Sequence, residues 1–114
     1  MTISVETEER AGWNVVHVSG DIDLGTAPEL RERLTIVLDG GAERVILDLA
    51  RVEFIDSTAL SVMVGAHKRL ARRGSVLHLA SAGSQVVRVL DVTGLSRVFA
   101  MHDSLDEAVD GAVQ

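Results

Sequence analysis

Cysteine is absent from this chain, and with it go disulfides, thiol nucleophiles and cysteine-based zinc sites; four scattered histidines are the only soft ligands left. Tyrosine is absent too, and one Trp and two Phe cannot form the aromatic row on which single-stranded bases stack. No apolar run approaches the roughly 20 residues of a membrane span, and Met1-Thr2-Ile3-Ser4-Val5-Glu6 carries no basic leader region. Positive charge is in deficit: 11 Lys and Arg face 17 Asp and Glu, giving a formal net charge of −6 and a pI near 5.1. Such a chain repels a phosphate backbone. The expectation is a cytoplasmic protein with no cofactor, no metal, no nucleic acid and no membrane among its partners, so that any effect on transcription passes through another protein.

What is present suits a single domain over residues 1–114, with 46% hydrophobic content for one core. Ile3 and Val5 alternate with polar residues, and Val15-Val16-His17-Val18 follows the polar break Glu8 to Gly12, which predicts an antiparallel pair with Trp13 packed at the hairpin. Gly20-Asp21-Ile22-Asp23 ends the second strand. Two carboxylates at that spacing could bind a hard cation, but a turn into a helix accounts for them as well.

Thr26 and Glu29 around Pro28 read as a capping box, and Leu30, Leu34, Val37 and Leu38 form one apolar stripe of a helix ended by Gly40-Gly41. Val45 to Leu49 is apolar on both faces apart from Asp48, the pattern of a central, mostly parallel strand.

After Asp56 the apolar spacing changes to Leu60, Met63, Val64, His67 and Ala71, a helical period, so Asp56-Ser57 sits where a sheet hands over to a helix. Ser57 there has two readings. It is the N-cap, accepting a bond from a free N–H, or its hydroxyl is exposed at the positive end of a helix dipole, where a phosphate is accommodated. From Ser57, three- and four-residue steps reach Ser61, Gly65, Lys68 and Arg72, flanked by Val62, Ala66 and Arg69. This strip is either a docking surface or an ordinary solvated face. Lys68, Arg69, Arg72 and Arg73 before Gly74 complement the negative end of the helix dipole. Val76 to Ala80 is a further buried strand; Ser84 caps a third helix with Val86, Val87, Val89 and Leu90, stopped by Gly94. Val98 to Met101 reads as an edge strand, and Ser104 with Glu107 as a capping box of a last helix with Leu105, Ala108 and Val109 inward. Strands alternating with helices after a hairpin imply an α/β domain with a mixed sheet.

Three motifs in order resemble one family: Gly20-Asp21-Ile22-Asp23 with Thr26-Ala27-Pro28, then Asp56-Ser57-Thr58 with Leu60 and Gly65, then Leu90-Asp91-Val92-Thr93-Gly94-Leu95. Over nearly its whole length the chain is similar to the single-domain STAS proteins that act as bacterial anti-sigma factor antagonists. The resemblance implies a STAS-like mixed sheet with about four helices mainly on one face. It also implies a switch: the unphosphorylated chain binds an anti-sigma factor that is a serine kinase, releasing the sigma factor; Ser57 accepts the phosphate; a serine phosphatase resets it. Asp21, Asp23, Asp56, Ser57, Thr58, Ser61, Val62, Gly65 and Arg69 would form the partner surface, on a monomer or weak dimer. Members of the family usually carry Gly where this chain has Ala59, which suits a helix.

Other readings are a STAS scaffold or transporter-associated module that is never phosphorylated, and a receiver-like domain in which Asp21, Asp23 and Asp56 gather Mg²⁺. Enzyme motifs are missing: Ser57 lacks a G-x-S-x-G elbow, and there is no Gly-rich phosphate loop. His17, His67 and His78 read as satisfied core or surface histidines.

Overall fold

The structure, a computed structural model, describes residues 2–111. Met1 and residues 112–114, which the single-domain expectation includes, lie outside the described residues. Five strands form one sheet in the order β1-β2-β3-β4-β5: β1 (Ser4–Arg10), β2 (Trp13–Ser19), β3 (Val45–Arg51), β4 (Leu77–Ala80) and β5 (Ala100–His102). β1 pairs antiparallel with β2, and every later pair is parallel. Helices α1 (Ala27–Asp39), α2 (Ser57–Ala71) and α3 (Ser84–Thr93) connect the parallel strands, and α4 (Leu105–Gly111) follows β5.

This order explains the one-sided arrangement. Successive parallel strands step in the same direction across the sheet, and crossovers of one hand then put all three connecting helices on the same face. Buried residues of α1, α2 and α3 accordingly share one large core with Val16, Val18, Leu47, Leu49 and Leu79 from the sheet. α4 connects to no later strand and covers the opposite face, where Ala108 and Val109 pack with Trp13, Val15, Ile46 and Ala80.

Several local features differ from the sequence reading. The polar break before Trp13 shrinks to Ala11-Gly12, because β1 runs to Arg10. Both residues have positive φ, 51° and 84°, which makes a tight turn whose twist matches the strands. Of Gly40-Gly41 only Gly41 takes positive φ (94°); Gly40 stays right-handed. Thr26 is the N-cap of α1 but makes no capping hydrogen bond. Its side chain is buried in the preceding turn instead. Gly83, not Ser84, caps α3. The last strand begins at Ala100, after a 3₁₀ turn over Leu95–Arg97. Half of the Ser104 capping box forms, the Glu107 N–H donating to Ser104 Oγ at 3.1 Å.

α2 has the expected period with a shifted phase. Ala59, Val62, Met63, Ala66 and Leu70 are buried while Ala71 is exposed. The helix packs against both α1 and the sheet, so its buried face is wider than a single stripe. The basic cluster at its end serves its neighbour: Arg73 donates to the Ala42 and Leu38 carbonyls at 2.6 and 2.9 Å, and Arg69 pairs with Asp39 at 2.7 Å. The cations thus bind the end of α1, where carbonyls lack partners.

Candidate functional site

The parallel pairing of β2 and β3 brings their carboxyl ends to one edge of the sheet, the usual position for sites in α/β folds. Beyond β2 the chain turns at Gly20, where a φ of 109° and the 3.1 Å that would separate an added Cβ from the Thr2 carbonyl make any side chain strained. Asp21-Ile22-Asp23 then runs alongside Phe54-Ile55-Asp56. Ile22 and Ile55 form a parallel bridge, the Ile22 N–H donates to the Phe54 carbonyl at 3.0 Å, and the Asp56 N–H to the Ile22 carbonyl at 3.3 Å. Two of the sequence motifs are therefore joined by backbone hydrogen bonds.

The acidic residues have local work. Asp56 is the N-cap of α2: its Oδ1 accepts from the N–H groups of Thr58 and Ala59 at 2.8 and 3.2 Å. Ser57, read from sequence as a possible cap, is the first helical residue. Asp23 Oδ1 accepts from the N–H groups of Gly25 and Thr26 at 2.9 and 3.1 Å. Thr26, 4% exposed, accepts from the Asp23 N–H at 2.9 Å and donates to the Asp21 carbonyl at 2.8 Å. These bonds fix the turn. They also give Asp23 a structural task at the position expected for partner binding.

With capping done by Asp56, the exposed Ser57 hydroxyl has no hydrogen-bond partner among the described residues; only its carbonyl is used, by Ser61 Oγ at 3.3 Å. Thr58 is half-buried. Ser61 and Gly65 are exposed and Arg69 is half-buried along the same helix, whereas Val62 is 4% exposed and faces the interior. It lies on the floor of the α1–α2 groove, beneath the expected surface strip. Ala59 is fully buried, so the methyl at this position faces the core and not an incoming protein.

Three residues given no role from sequence belong to this region. Gln85 of α3 donates to the Ile55 carbonyl at 3.1 Å and accepts its N–H at 3.0 Å, holding the strand end that leads into Asp56. Leu24 and Phe54 are 75% and 43% exposed on the two adjoining segments, an apolar pair unlike the usual polar loop. Large hydrophobics in the turn segments beside Asp21 and Asp56 were the available sequence signal. Gln85 had none, since a single Gln in a helix start is silent until its partner is located.

The histidines lie elsewhere. His17, on the sheet face away from α1 to α3, bonds Asp48 Oδ2 through Nδ1 at 2.7 Å and Glu8 Oε2 through Nε2 at 2.6 Å. Partial burial alone would lower its pKa, but the bonds to Asp48 and Glu8 outweigh this and raise it above 6.5. His78 bonds His102 at 2.9 Å and meets the Trp13 ring edge-on. Burial first, then the charges of His102 and Arg44, push its pKa down to about 4. His67 Nδ1 accepts from the Leu77 N–H at 3.2 Å. Among the described residues no three His, Asp or Glu could hold a metal ion, and no helix is long and apolar enough to cross a membrane.

Comparison with known proteins bears on this geometry. The STAS domain sequence profile matches residues 4–108. The anti-sigma-B factor antagonist of Listeria monocytogenes is 40% identical over 106 residues, covering 90% of this chain and 91% of that protein. The Bacillus subtilis anti-sigma-B factor antagonist is 35% identical over 98 residues, covering 86% and 89%. A crystal structure of an anti-sigma factor antagonist from Mycobacterium paratuberculosis superposes with a TM-score of 0.90 at 28% identity, covering 98% of this chain and 95% of that one. With the fold and these near full-length matches in agreement, the chain belongs to the STAS-domain family of anti-sigma factor antagonists.

Proposed function

We propose that the unphosphorylated chain binds an anti-sigma factor with serine kinase activity, so that a sigma factor is released, and that phosphorylation of Ser57 ends this binding until a serine phosphatase removes the phosphate. One observation carries the reading: Ser57 presents an exposed hydroxyl free of hydrogen bonds, because the adjacent Asp56 caps the helix in its place. In the transfer, Ser57 Oγ bonds the γ-phosphorus of ATP, ADP leaves, and the hydroxyl proton passes to a base on the kinase. The product lies at the positive end of α2, which favours an anion by about 0.3–1 kcal/mol. Asp21, Asp23, Asp56, Thr58, Ser61, Gly65 and Arg69, with Leu24 and Phe54 added, make up the surface offered to the partner, and Val62 supports it from below.

The receiver-like alternative has little support. Phosphorylating Asp56 would turn the charged acceptor of two backbone N–H groups into a neutral, weaker acyl oxygen, and Asp23 is committed in the same way.

The test is incubation with ATP and serine kinases of the anti-sigma factor type, followed by intact mass and site mapping. One acid-stable phosphate on Ser57 is expected, lost in Ser57→Ala and retained in Thr58→Ala. Phosphate mapped to Thr58, or an acid-labile phosphate on an Asp, would reject the assignment.

A further inference from the structure

α1 and α2 lie side by side over the sheet and leave a groove of about 200 Å³ between them. Leu34 on α1 and the small residues Ser61 and Gly65 on α2 line it, and Arg31 and Arg69 stand on the two helices. The groove is open at Gly65, where an added Cβ would meet nothing within 4 Å. A glycine inside a helix costs about 1 kcal/mol relative to Ala, and no neighbouring element of the fold uses the space it leaves.

The charge around the groove is opposite to that of the whole protein. The chain has a net charge of −6, yet two lining residues are cations and none is an anion; α2 contains no Asp or Glu from Ser57 to Ala71. Asp39 holds Arg69 at 2.7 Å, whereas Arg31 makes no ion pair or side-chain hydrogen bond among the described residues. The Arg69–Asp39 ion pair and the free cation Arg31 therefore bracket an apolar slot. The slot continues the candidate site, since Ser61 lies one turn beyond Ser57 and is bonded to its carbonyl.

We propose that this groove receives an acidic amphipathic segment of the anti-sigma factor, with one apolar side chain entering between α1 and α2 and flanking carboxylates paired with Arg31 and Arg69. The inference rests on the function proposed above and extends its surface onto α1. A free phosphate would have to give up water against Leu34 for one free cation and one already paired with Asp39, and a basic segment would meet like charge at Arg31. An apolar residue between carboxylates satisfies both the floor and the rims.

Two helical peptides probe this by amide NMR titration of the full chain: one with a central Leu and Glu one turn to either side, the other with Lys in place of Glu. The Glu peptide should shift the amides of Leu34, Thr35, Ser61 and Gly65, and the Lys peptide should bind about five- to tenfold more weakly, the size expected of one or two exposed ion pairs. Arg31→Glu should invert that order, and Arg31→Lys should keep it. Equal affinity for the two peptides, or shifts confined to other surfaces, would overturn the proposal. The phosphoswitch is read separately: if the Glu peptide leaves these amides unmoved while Ser57 is still phosphorylated, the groove assignment fails and the switch stands. A Ser57 that resists every kinase would overturn the switch without moving these amides.

Discussion

Ser57 lies one residue inside α2 instead of capping it, and that single step leaves its hydroxyl free for chemistry. The division of labour with Asp56 follows from geometry: a carboxylate just before a helix reaches the N–H groups two and three residues on, whereas a hydroxyl on the first helical residue points outward. Protonation provides a second test at this scale, because the two strand histidines respond oppositely to pH. His78, depressed to about 4, favours the folded state above 6.5 and loses that contribution as pH falls from 6.5 towards 4, where the unfolded chain takes up a proton first. The loss is on the order of 2 kcal/mol after discounting for solvent screening. His17, raised above 6.5, stabilises fully below that value and less as pH rises through its folded-state pKa. Melting temperatures of His78→Gln and His17→Gln across pH 4 to 8 should separate the two. Replacing His78 should flatten the acid side of the wild-type curve, and the cost of replacing His17 should shrink as pH rises past neutrality. Identical pH profiles for all three proteins would contradict the assignment.

At the scale of elements, the approach to Ser57 is held from two sides: the Ile22–Ile55 bridge from one and the Gln85 amide from the other. Gln85→Ala leaves the Ile55 N–H and carbonyl without their side-chain partner, a loss of about 1–3 kcal/mol. Hydrogen exchange at Ile55 should quicken, while exchange in β2 away from the junction stays slow; an unchanged Ile55 would mean another group holds the strand end. The family resemblance already implied that Asp21-Ile22-Asp23 and Asp56-Ser57 share one surface, but the bridge and the Gln85 contact were not readable before the structure. Helix and strand positions were legible because Val45 to Leu49 is an apolar run without polar alternation and the apolar spacing takes a period of about 3.6 after Asp56. The phase of α2 was not, since a helix packed on both a sheet and another helix buries Val62 and Ala66 as well as Met63. Cap details differ at Thr26, which takes the N-cap position without its side-chain bond, and at Ser84, where Gly83 is the cap, while of the two readings of Ser57 the structure keeps the exposed hydroxyl. Each position has more than one residue able to terminate the helix, and backbone geometry chooses between them. The candidate site was legible as two motifs, Asp21-Ile22-Asp23 and Asp56-Ser57, but their joining needed the parallel register of β2 and β3.

Over the whole molecule, the sheet order sends α1, α2 and α3 to one face and leaves the carboxyl ends of β2 and β3 open beside them. A phosphate placed there lies on a packed scaffold. It adds about −1.5 to −2 charge at pH 7, which the start of α2 tolerates, so the fold should persist. Inside a protein interface the same group must lose water, and an unpaired buried charge costs about 2–5 kcal/mol. The interface cost exceeds the favourable helix-end effect of about 0.3–1 kcal/mol. Phosphorylation should therefore act by charge at the contact surface and not by refolding, and Ser57→Asp, with less charge, should reproduce it in part. The most direct measurement is a titration of the anti-sigma factor kinase with the chain before and after phosphorylation of Ser57, with circular dichroism of both forms. The account predicts that affinity falls by at least about tenfold, at 1.4 kcal/mol per decade, while the two spectra coincide. Unchanged affinity, or a large loss of helix on phosphorylation, would contradict it.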